Sequence, residues 1–440
     1  LDENGDGESG LIFFMQQRRS LLQSVMRKKI SALALPLFAL WPFGAFLLSL
    51  LDIKSKSSAL VFVLFSALFG YAFNFEFQSA DSYRVALVFN EFELSSLNDI
   101  IVLYKSGGMT DLYRNMMYGI TKQFSNNPKV LFMLFGLVFG VINYYALRVI
   151  IREKDERYGI ILSVIVFIFF VSNPITNING ARFWTATSLF FLASMNFLFY
   201  KNKRWLIGIL LCPMIHFSYI LPLIITLVFY FLQPLFYSSS KVRRWLIVAF
   251  FSSFILSFVL DTNAVNVNFL NDSSLIPHSI ARKIDIYTSE EVTIAVKERR
   301  DSLFLTVSRL FSYSKWVFFF IFLLFIISKS KKYIMPNEYI TKLLSFIIFF
   351  LTISYLLSFI PSVARFVYVG FSFVLVLFIR IYHFFPDSNM KRFILILLPV
   401  YALDIFFDSA YLPTLLVSPT VWYGNFFWII SEGIGYEFVY

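Results

Sequence analysis

Charged residues are scarce in this chain. Only 15% of its 440 residues are Asp, Glu, Lys or Arg, whereas a soluble domain carries roughly a quarter. Hydrophobic residues make up 58% of the chain and aromatic residues 20%, including 57 Phe. So many large apolar side chains cannot all be buried in one soluble core. The composition therefore excludes a soluble enzyme and a disordered protein, and it predicts a polytopic membrane protein.

Groups that bind metal ions or nucleotides are also scarce. Cys212 is the single cysteine, so neither an internal disulfide nor a metal site built on cysteines is possible. His216, His278 and His383 are scattered and have no close acidic partner, which argues against a zinc site. The chain has no Walker A loop, GxSxG motif or Asp-x-Asp pair. We therefore expect neither a metal ion nor a cofactor.

The excess of positive charge indicates an orientation in a membrane. The chain has 38 Lys and Arg against 27 Asp and Glu, a net charge of +11. These residues form short clusters between apolar runs, so we attribute them to membrane topology and expect no nucleic acid partner. The connections between apolar runs fall into two alternating sets. One set holds 19 basic residues, and the other holds 12 although it contains far more residues. The positive-inside rule places the first set in the cytoplasm, so the long connections 74–129 and 261–302 face outward.

Apolar runs recur along the chain at lengths suited to membrane helices. The predicted spans are 33–51, 59–75, 130–147, 159–173, 183–200, 205–217, 219–237, 245–260, 306–328, 343–360, 366–382 and 393–409. This pattern predicts an all-α polytopic protein with about twelve transmembrane helices, in which residues 30–440 form one domain. The runs 159–173 and 205–217 are short, so their ends are expected to reach into protein rather than lipid.

The two ends of the chain and one glycine pair complete this prediction. Residues 1–29 are a polar and basic lead, and the loop count places them outside. Five basic residues are unusual on the outer side of a membrane. Either the lead lies on the membrane surface as an amphipathic helix, or the segment around Pro36 and Pro42 does not cross the membrane a single time. The aromatic tail after residue 420 is short and suits the membrane interface.

Gly136 and Gly140 form a GxxxG motif, which predicts close helix packing.

Arg182 stands where an outward break enters a helix. It follows a polar segment punctuated by Pro174 and Gly180 that also contains Asn179. A helix N-terminus combined with an arginine suits an anion. An arginine that snorkels at a helix end is the alternative interpretation.

His216 is the one histidine within an otherwise apolar stretch. It lies in Cys-Pro-Met-Ile-His-Phe-Ser, between two spans, and Ser218 follows two residues later. A neutral imidazole at such a place can take a proton or donate a hydrogen bond. The alternative is a histidine that is packed and hydrogen-bonded in the core.

Further cations are predicted at the same outward side. Arg365 enters a helix after another break, which begins at Pro361, while Arg309 and Lys315 open the span before it. Cations that converge from distant parts of the chain suit a diphosphate or a carboxylate. A set of unrelated interface anchors is the competing interpretation.

The first long outward connection carries carboxylates and tyrosines that suit sugar hydroxyls. Asp81, Tyr83 and Arg84 come just after a span, and Asp111, Tyr113 and Arg114 come later. Most of these residues are expected on a solvated amphipathic helix. We single out Asp81 because of its place directly after the span.

These motifs, in this order, resemble a known family. They are Asp81-Ser-Tyr83 after an early span, Asn179-Gly-Ala-Arg182-Phe at the start of a helix, the Lys/Arg loop 201–204, His216-Phe-Ser218, and Pro361-Ser-Val-Ala-Arg365-Phe-Val-Tyr368. They resemble the EpsG-like branch of the Wzy-type bacterial polysaccharide polymerases, which make O-antigen, capsule or exopolysaccharide. The likeness covers most of residues 45–385.

The resemblance implies a multi-pass enzyme of the bacterial inner membrane, with an active site that faces the periplasm. Such an enzyme joins oligosaccharide repeat units carried on undecaprenyl diphosphate, without a metal ion, and works with a flippase and a chain-length regulator. On this hypothesis Arg182, Arg365, His216 and Asp81 are catalytic. The residues expected to bind substrate are Arg309, Tyr83, Asn179, Tyr313 and Tyr368.

Three other functions fit the same composition. Another lipid-linked glycosyltransferase, or an O-antigen ligase, would use the same cations. A lipid-linked oligosaccharide flippase or another transporter would favour inverted repeats and charges in the middle of spans, whereas the charges here lie at span ends. A membrane scaffold without chemistry would tolerate the loss of Arg182 and Arg365.

Overall fold

A computed structural model of the protein describes residues 32–78, 80–93, 97–106, 111–152, 159–259, 303–333, 337–358, 364–385, 388–404 and 416–436. Over this part of the chain the architecture is all-α. The helices are α1 Pro42–Leu51, α2 Lys56–Tyr71, α3 Asp81–Asn90, α4 Leu97–Lys105, α5 Leu112–Lys122, α6 Pro128–Ile150, α7 Gly159–Ser172, α8 Ala181–Ser194, α9 Leu206–Ile215, α10 Ile220–Ser238, α11 Ser240–Val259, α12 Leu303–Ser328, α13 Ser330–Tyr333, α14 Glu338–Leu356, α15 Arg365–Phe384, α16 Ser388–Asp404, α17 Thr420–Tyr423 and α18 Phe426–Ser431.

Six helical stretches in the described part are long and apolar enough to cross a membrane, which fits an α-helical polytopic membrane protein. They are Pro128–Ile150, Ser163–Phe199, Phe217–Phe236, Ser240–Val259, Glu338–Leu356 and Arg365–Phe384. Shorter apolar helices cover Pro42–Leu51, Lys56–Tyr71 and Tyr313–Ser328. Each predicted apolar run overlaps a helix, but the total of twelve crossings stays a prediction. The lead 1–29 and the connection 261–302 lie outside the described residues.

The first apolar run is broken at one of its two prolines. Residues 32–40 are helical through Pro36, and the helix stops at Trp41 before α1 begins with Pro42. Proline is well tolerated at the first position of a helix, where its missing N–H has no partner to lose. The chain is therefore helical through Pro36 and is interrupted directly before Pro42.

The packing of α2 against α6 places two backbones in close contact. A Cβ added at Gly136 would lie 2.2 Å from the carbonyl oxygen of Ser66, and one at Gly140 would lie 2.6 Å from the Ser66 Cβ. Gly70 faces the Phe132 backbone in the same way, at 2.0 Å. Only glycine permits this approach, so the packing role predicted for the GxxxG motif is confirmed.

The short apolar run 159–173 ends inside the protein, as predicted. Asn173 follows α7 and is buried, and its amide donates to Asn143 and Ser188. Asn143 stands 15 residues after the start of α6, about 22 Å along that helix. The break that follows α7 therefore lies within the bundle. The helix α9 has 10 residues and is only about 15 Å long.

The described C-terminal residues lie across the helix ends where α6 begins. Phe73 and Val417 form an isolated antiparallel bridge, and the Trp41 indole nitrogen donates to the Trp422 carbonyl at 2.7 Å. The helices α17 and α18 have four and six residues. Within residues 416–436 the aromatic tail therefore packs along the end of the bundle and does not cross it.

Candidate functional site

A network of buried amides fixes the segment that leads to Arg182. Ser188 donates to Asn143 at 2.9 Å, and the Asn177 amide donates to Asn173 at 3.0 Å. The chain then forms the 3-10 turn Ile175–Gly180, and α8 begins at Ala181. Buried polar groups of this kind are costly unless they are paired. The network therefore sets the position at which α8 starts.

Arg182 pairs with a buried carboxylate that the sequence did not single out. Arg182 Nη1 donates to Asp111 Oδ2, and the Asp111 side chain is 2% exposed against 29% for Arg182. Asp111 Oδ1 also accepts from the Phe217 backbone N–H at 3.1 Å. One carboxylate thus joins the starts of α5 and α8 to the break between α9 and α10. Most polar residues of this connection were expected to be solvated, and Asp111 is an exception because it forms this buried bridge.

Arg114 is a second cation of this group and was likewise not singled out. It lies one turn into α5, with its guanidinium carbon 5.7 Å from the Tyr118 ring centroid. Burial lowers the pKa of Arg114, and the nearby charge of Arg182 lowers it further. Its buried Nε has no hydrogen-bond partner within the described residues. The spacing Asp111-Leu-Tyr-Arg114 places both residues in one helical turn, but sequence alone does not show that they face inward.

Phe183 contacts two of the predicted catalytic residues and directly follows the third. Phe183 follows Arg182 in the chain. Its ring lies nearly perpendicular to the His216 ring, with centroids 5.4 Å apart, and its centroid is 5.7 Å from that of Phe366. The Arg365 guanidinium carbon lies 5.4 Å from the centroid of the Phe183 ring. His216 and Arg365 thus contact the same ring, and Arg182 precedes that ring in the chain. We call this group, together with Asp111 and Arg114, the Arg182 site.

His216 is held in a defined orientation. Its Nδ1 and the Ser218 hydroxyl form a hydrogen bond of 2.7 Å, and the Phe217 ring stacks on it with centroids 5.5 Å apart. The residue is half-buried. An oriented imidazole that is not fully buried can act as a general base or acid.

Asp81 lies beside the Arg182 site but is more exposed than its predicted role suggests. It pairs with Arg84 on the same helix, and the two side chains are 48% and 60% exposed. The Asn179 side chain accepts from the Ser82 N–H at 2.7 Å, so this residue caps the start of α3. Tyr83 is half-buried on the same helix. The start of α3, which carries Asp81, is therefore attached to the segment before Arg182 through Asn179. The contact of Asn179 with the Ser82 N–H positions this helix.

The remaining predicted residues form a second, adjoining group. Tyr368 lies one turn after Arg365 on α15, and the Lys315 ammonium is 5.7 Å from its ring centroid. Tyr313 is 43% exposed and contacts the Trp316 ring at 5.6 Å. Arg309 is on α12, but its side chain lies outside the described residues, as do Pro361 to Val363. The described cations therefore lie at two positions, the Arg182 site and Lys315, whereas the sequence suggested one group.

Within the described residues, no three His, Cys, Asp or Glu side chains form a group that could hold a metal ion. Arg182, Arg114 and Arg365 carry three positive charges, and Asp111 carries one negative charge. Because an arginine has five N–H donors, the contact with Asp111 leaves donors on Arg182 for another anion. The arrangement can bind a phosphate or diphosphate and can take up a proton nearby.

Comparison with known proteins gives no relative from which to transfer a function. No family model, no curated protein and no solved structure matches the chain. Function must therefore be inferred from the residues and their geometry.

Proposed function

We propose that the protein is a polysaccharide repeat-unit polymerase that uses a lipid diphosphate-linked donor. The observation that supports this most strongly is that His216 and Arg365 both contact the ring of Phe183, the residue that follows Arg182 in the chain. These residues come from three distant parts of the chain, and two of them are cations next to a fixed imidazole. That combination suits a sugar linked to a diphosphate, for which charge stabilisation and proton transfer are both needed.

The chemistry requires fixed positive charge more than a strong acid. When the bond between the anomeric carbon and the diphosphate oxygen breaks, its electron pair stays on the diphosphate, which is already stable as an anion. Arg182, Arg114 and Arg365 would stabilise the charge that develops there. Asp111 holds the Arg182 guanidinium in place, so little reorganisation is needed when the charge appears.

The acceptor sugar hydroxyl supplies the new bond. Its oxygen attacks the anomeric carbon, and its proton passes to a base. His216 is the better candidate, because Ser218 orients its ring and it adjoins both Phe183 and Phe217. Asp81 is the second candidate, but its carboxylate is already paired with Arg84. The products are a glycan longer by the transferred unit and a free lipid diphosphate.

The proposed substrates are oligosaccharides on undecaprenyl diphosphate, and the proposed location is the bacterial inner membrane with the Arg182 site toward the periplasm. The loop charges support this side, since the connections at the other helix ends hold 19 basic residues. A flippase that delivers the substrate and a chain-length regulator are the partners that such an enzyme would need. The proposed reaction needs no metal ion.

The test is complementation of a deletion strain, with glycan length read as a ladder on a gel. Arg182→Ala, Arg365→Ala and His216→Ala should each abolish or shorten the ladder at normal protein levels. Arg204→Ala is the matched control, because Arg204 is exposed in the 3-10 turn Lys203–Trp205, beyond the end of α8 that is opposite Arg182. Full ladders from well-expressed arginine variants would contradict the proposal. A ligase would attach glycan without producing a ladder, and a flippase defect would leave the repeat units on the cytoplasmic side.

A further inference from the structure

Gly180, which directly precedes α8, is covered by one aromatic and one acidic side chain. A Cβ added there would lie 3.5 Å from the indole nitrogen of Trp184 and 3.9 Å from Asp81 Oδ2. Trp184 is on α8, and Asp81 is the first residue of α3. A hydrogen-bond donor and an acceptor from distant parts of the chain therefore flank one point.

Both groups are open to a ligand. Arg84 donates to Asp81 Oδ1, while Oδ2 makes no hydrogen bond within the described residues. The Trp184 indole N–H makes none there either, and this residue is half-buried. The Asp81 and Arg84 side chains are 48% and 60% exposed. A molecule that approaches from outside can therefore reach an acceptor and two donor groups beside an aromatic ring.

Two hydrogen bonds hold α3 beside the Arg182 site. The Ser82 N–H donates to the Asn179 side chain, in the turn before α8, at 2.7 Å. The Tyr118 hydroxyl donates to the Val85 carbonyl at 3.0 Å, and the Tyr118 ring lies under the Arg114 guanidinium on α5. The helix α3 is thus attached both to the segment that leads into α8 and to α5, and these two elements carry cations of the site.

These groups have the chemistry of a sugar site. An indole N–H only donates, a carboxylate only accepts, and a guanidinium donates through several N–H groups. A sugar hydroxyl can both donate and accept, so it can pair with all three. Sites for small molecules combine a few polar groups of this kind with aromatic surface, and tryptophan offers an apolar ring beside its N–H.

We propose that Trp184, Asp81 and Arg84 form a subsite for the sugar that is bonded directly to the donor diphosphate. The inference rests on the proposed function and deepens it. Because that sugar is covalently attached to the diphosphate, the groups that bind it must adjoin the cations, as α3 and the start of α8 do. The subsite would hold the anomeric carbon in place for attack, whereas the guanidinium groups bind the leaving diphosphate.

The experiment uses native mass spectrometry of the purified full-length protein with two probes that differ only in sugar. One probe is sugar-free undecaprenyl diphosphate, and the other is the same lipid carrying the host's oligosaccharide repeat unit. Trp184→Phe keeps a ring and removes the N–H, and Asp81→Asn removes the charge of the acceptor. Each variant should bind the sugar-bearing lipid about tenfold more weakly, the effect of a weakened hydrogen bond. Both should bind the sugar-free lipid as the wild type does.

Matched substitutions at other positions are the controls. Glu91→Gln changes an exposed carboxylate at the other end of α3, and Trp245→Phe changes an indole that is 72% exposed on α11. Both variants should bind the two probes as the wild type does. Arg182→Ala should weaken the binding of both probes, because it acts on the diphosphate that they share.

Unchanged affinity of Trp184→Phe or Asp81→Asn for the sugar-bearing lipid would overturn the inference. An equal loss for both probes would also overturn it, since it would show that the two residues only support the fold around Gly180. In a turnover assay the two variants should raise the donor KM about tenfold. A wild type that polymerises while the variants keep its donor KM would refute the subsite alone. Sugar-dependent binding that the variants lose, without polymerisation by the wild type, would refute the proposed function alone.

Discussion

The two ends of the helix bundle are both rich in cations and aromatic rings, yet the cations are held differently. At the end where α14 begins, Arg152 stacks on Tyr200 at 4.0 Å, and Arg380 donates to the Tyr200 hydroxyl at 2.9 Å. Lys342 donates to the Leu198 carbonyl at 2.6 Å. At the other end Arg182 pairs with a buried carboxylate, next to breaks between helices.

This difference separates anchoring from function. Tyrosine rings and backbone carbonyls place cations at a helix end without any need for a ligand. At the Arg182 site the helices stop inside the protein, and a buried carboxylate spans three chain segments. A site of this kind is costly to build for topology alone, whereas it is suited to holding a cation rigidly against a substrate.

The largest expected effect is on turnover. Arg182→Ala should lower polymerisation by about 100- to 1,000-fold, the usual consequence of removing a group that stabilises developing charge. Arg152→Ala and Arg204→Ala remove the same side chain at the opposite end and should leave turnover near the wild-type value. Equal losses in all three variants would mean that the two ends do not differ in function.

The next effect is on stability, and it compares two carboxylates at the same end. Asp111→Asn leaves Arg182 without its partner and should destabilise the protein by about 1 to 3 kcal/mol, less than a fully buried pair because Arg182 is partly exposed. Asp81→Asn breaks an exposed pair and should cost at most about 1 kcal/mol. The measurement is thermal unfolding in one detergent at one scan rate. A larger loss for Asp81→Asn would reverse the roles assigned to the two residues.

A third comparison concerns the amide network below the Arg182 site. Asn173→Ala removes the hydrogen bonds that Asn173 forms with Asn143 and Asn177. The protein should therefore be destabilised by about 1 to 3 kcal/mol. Because the network sets where α8 begins, turnover should also fall although Arg182 itself is unchanged. Asn202→Ala, which removes an exposed cap at the opposite end, should leave turnover intact. Normal turnover in Asn173→Ala would show that the network serves stability alone.

The smallest expected effect is at the anchoring end. Tyr200→Phe removes the hydroxyl that accepts from Arg380 and should cost about 1 kcal/mol. The aromatic face remains for Arg152, so the ladder should keep its length. A shortened ladder at normal protein level would show that this end also takes part in the reaction.

Much of the fold could be predicted from the sequence, because helix length and apolar pattern depend on nearby residues. The close contact at Gly136 and Gly140, the break at Pro42 and the burial of the chain after α7 all follow from local composition. Arg182, His216 and Arg365 could be named because each is a polar residue at the end of an apolar run. Their meeting at Phe183 depends on tertiary packing and could only be expected in outline.

Other parts of the site could not be predicted. Asp111 and Asp81 both lie in the same polar connection, and nothing in their spacing shows that one is buried and the other exposed. Arg114 is half-buried because α5 packs with this face toward Arg182. The separation of Lys315, which lies against Tyr368, from the Arg182 site likewise depends on which helices become neighbours.

The most direct test of the central claim is polymerisation by the purified protein in lipid nanodiscs, with a lipid diphosphate-linked oligosaccharide as the only substrate and no metal ion added. The account predicts a ladder of products from the wild type and from Arg204→Ala, and none from Arg182→Ala or Arg365→Ala. A ladder from Arg182→Ala as long as that of the wild type would contradict it.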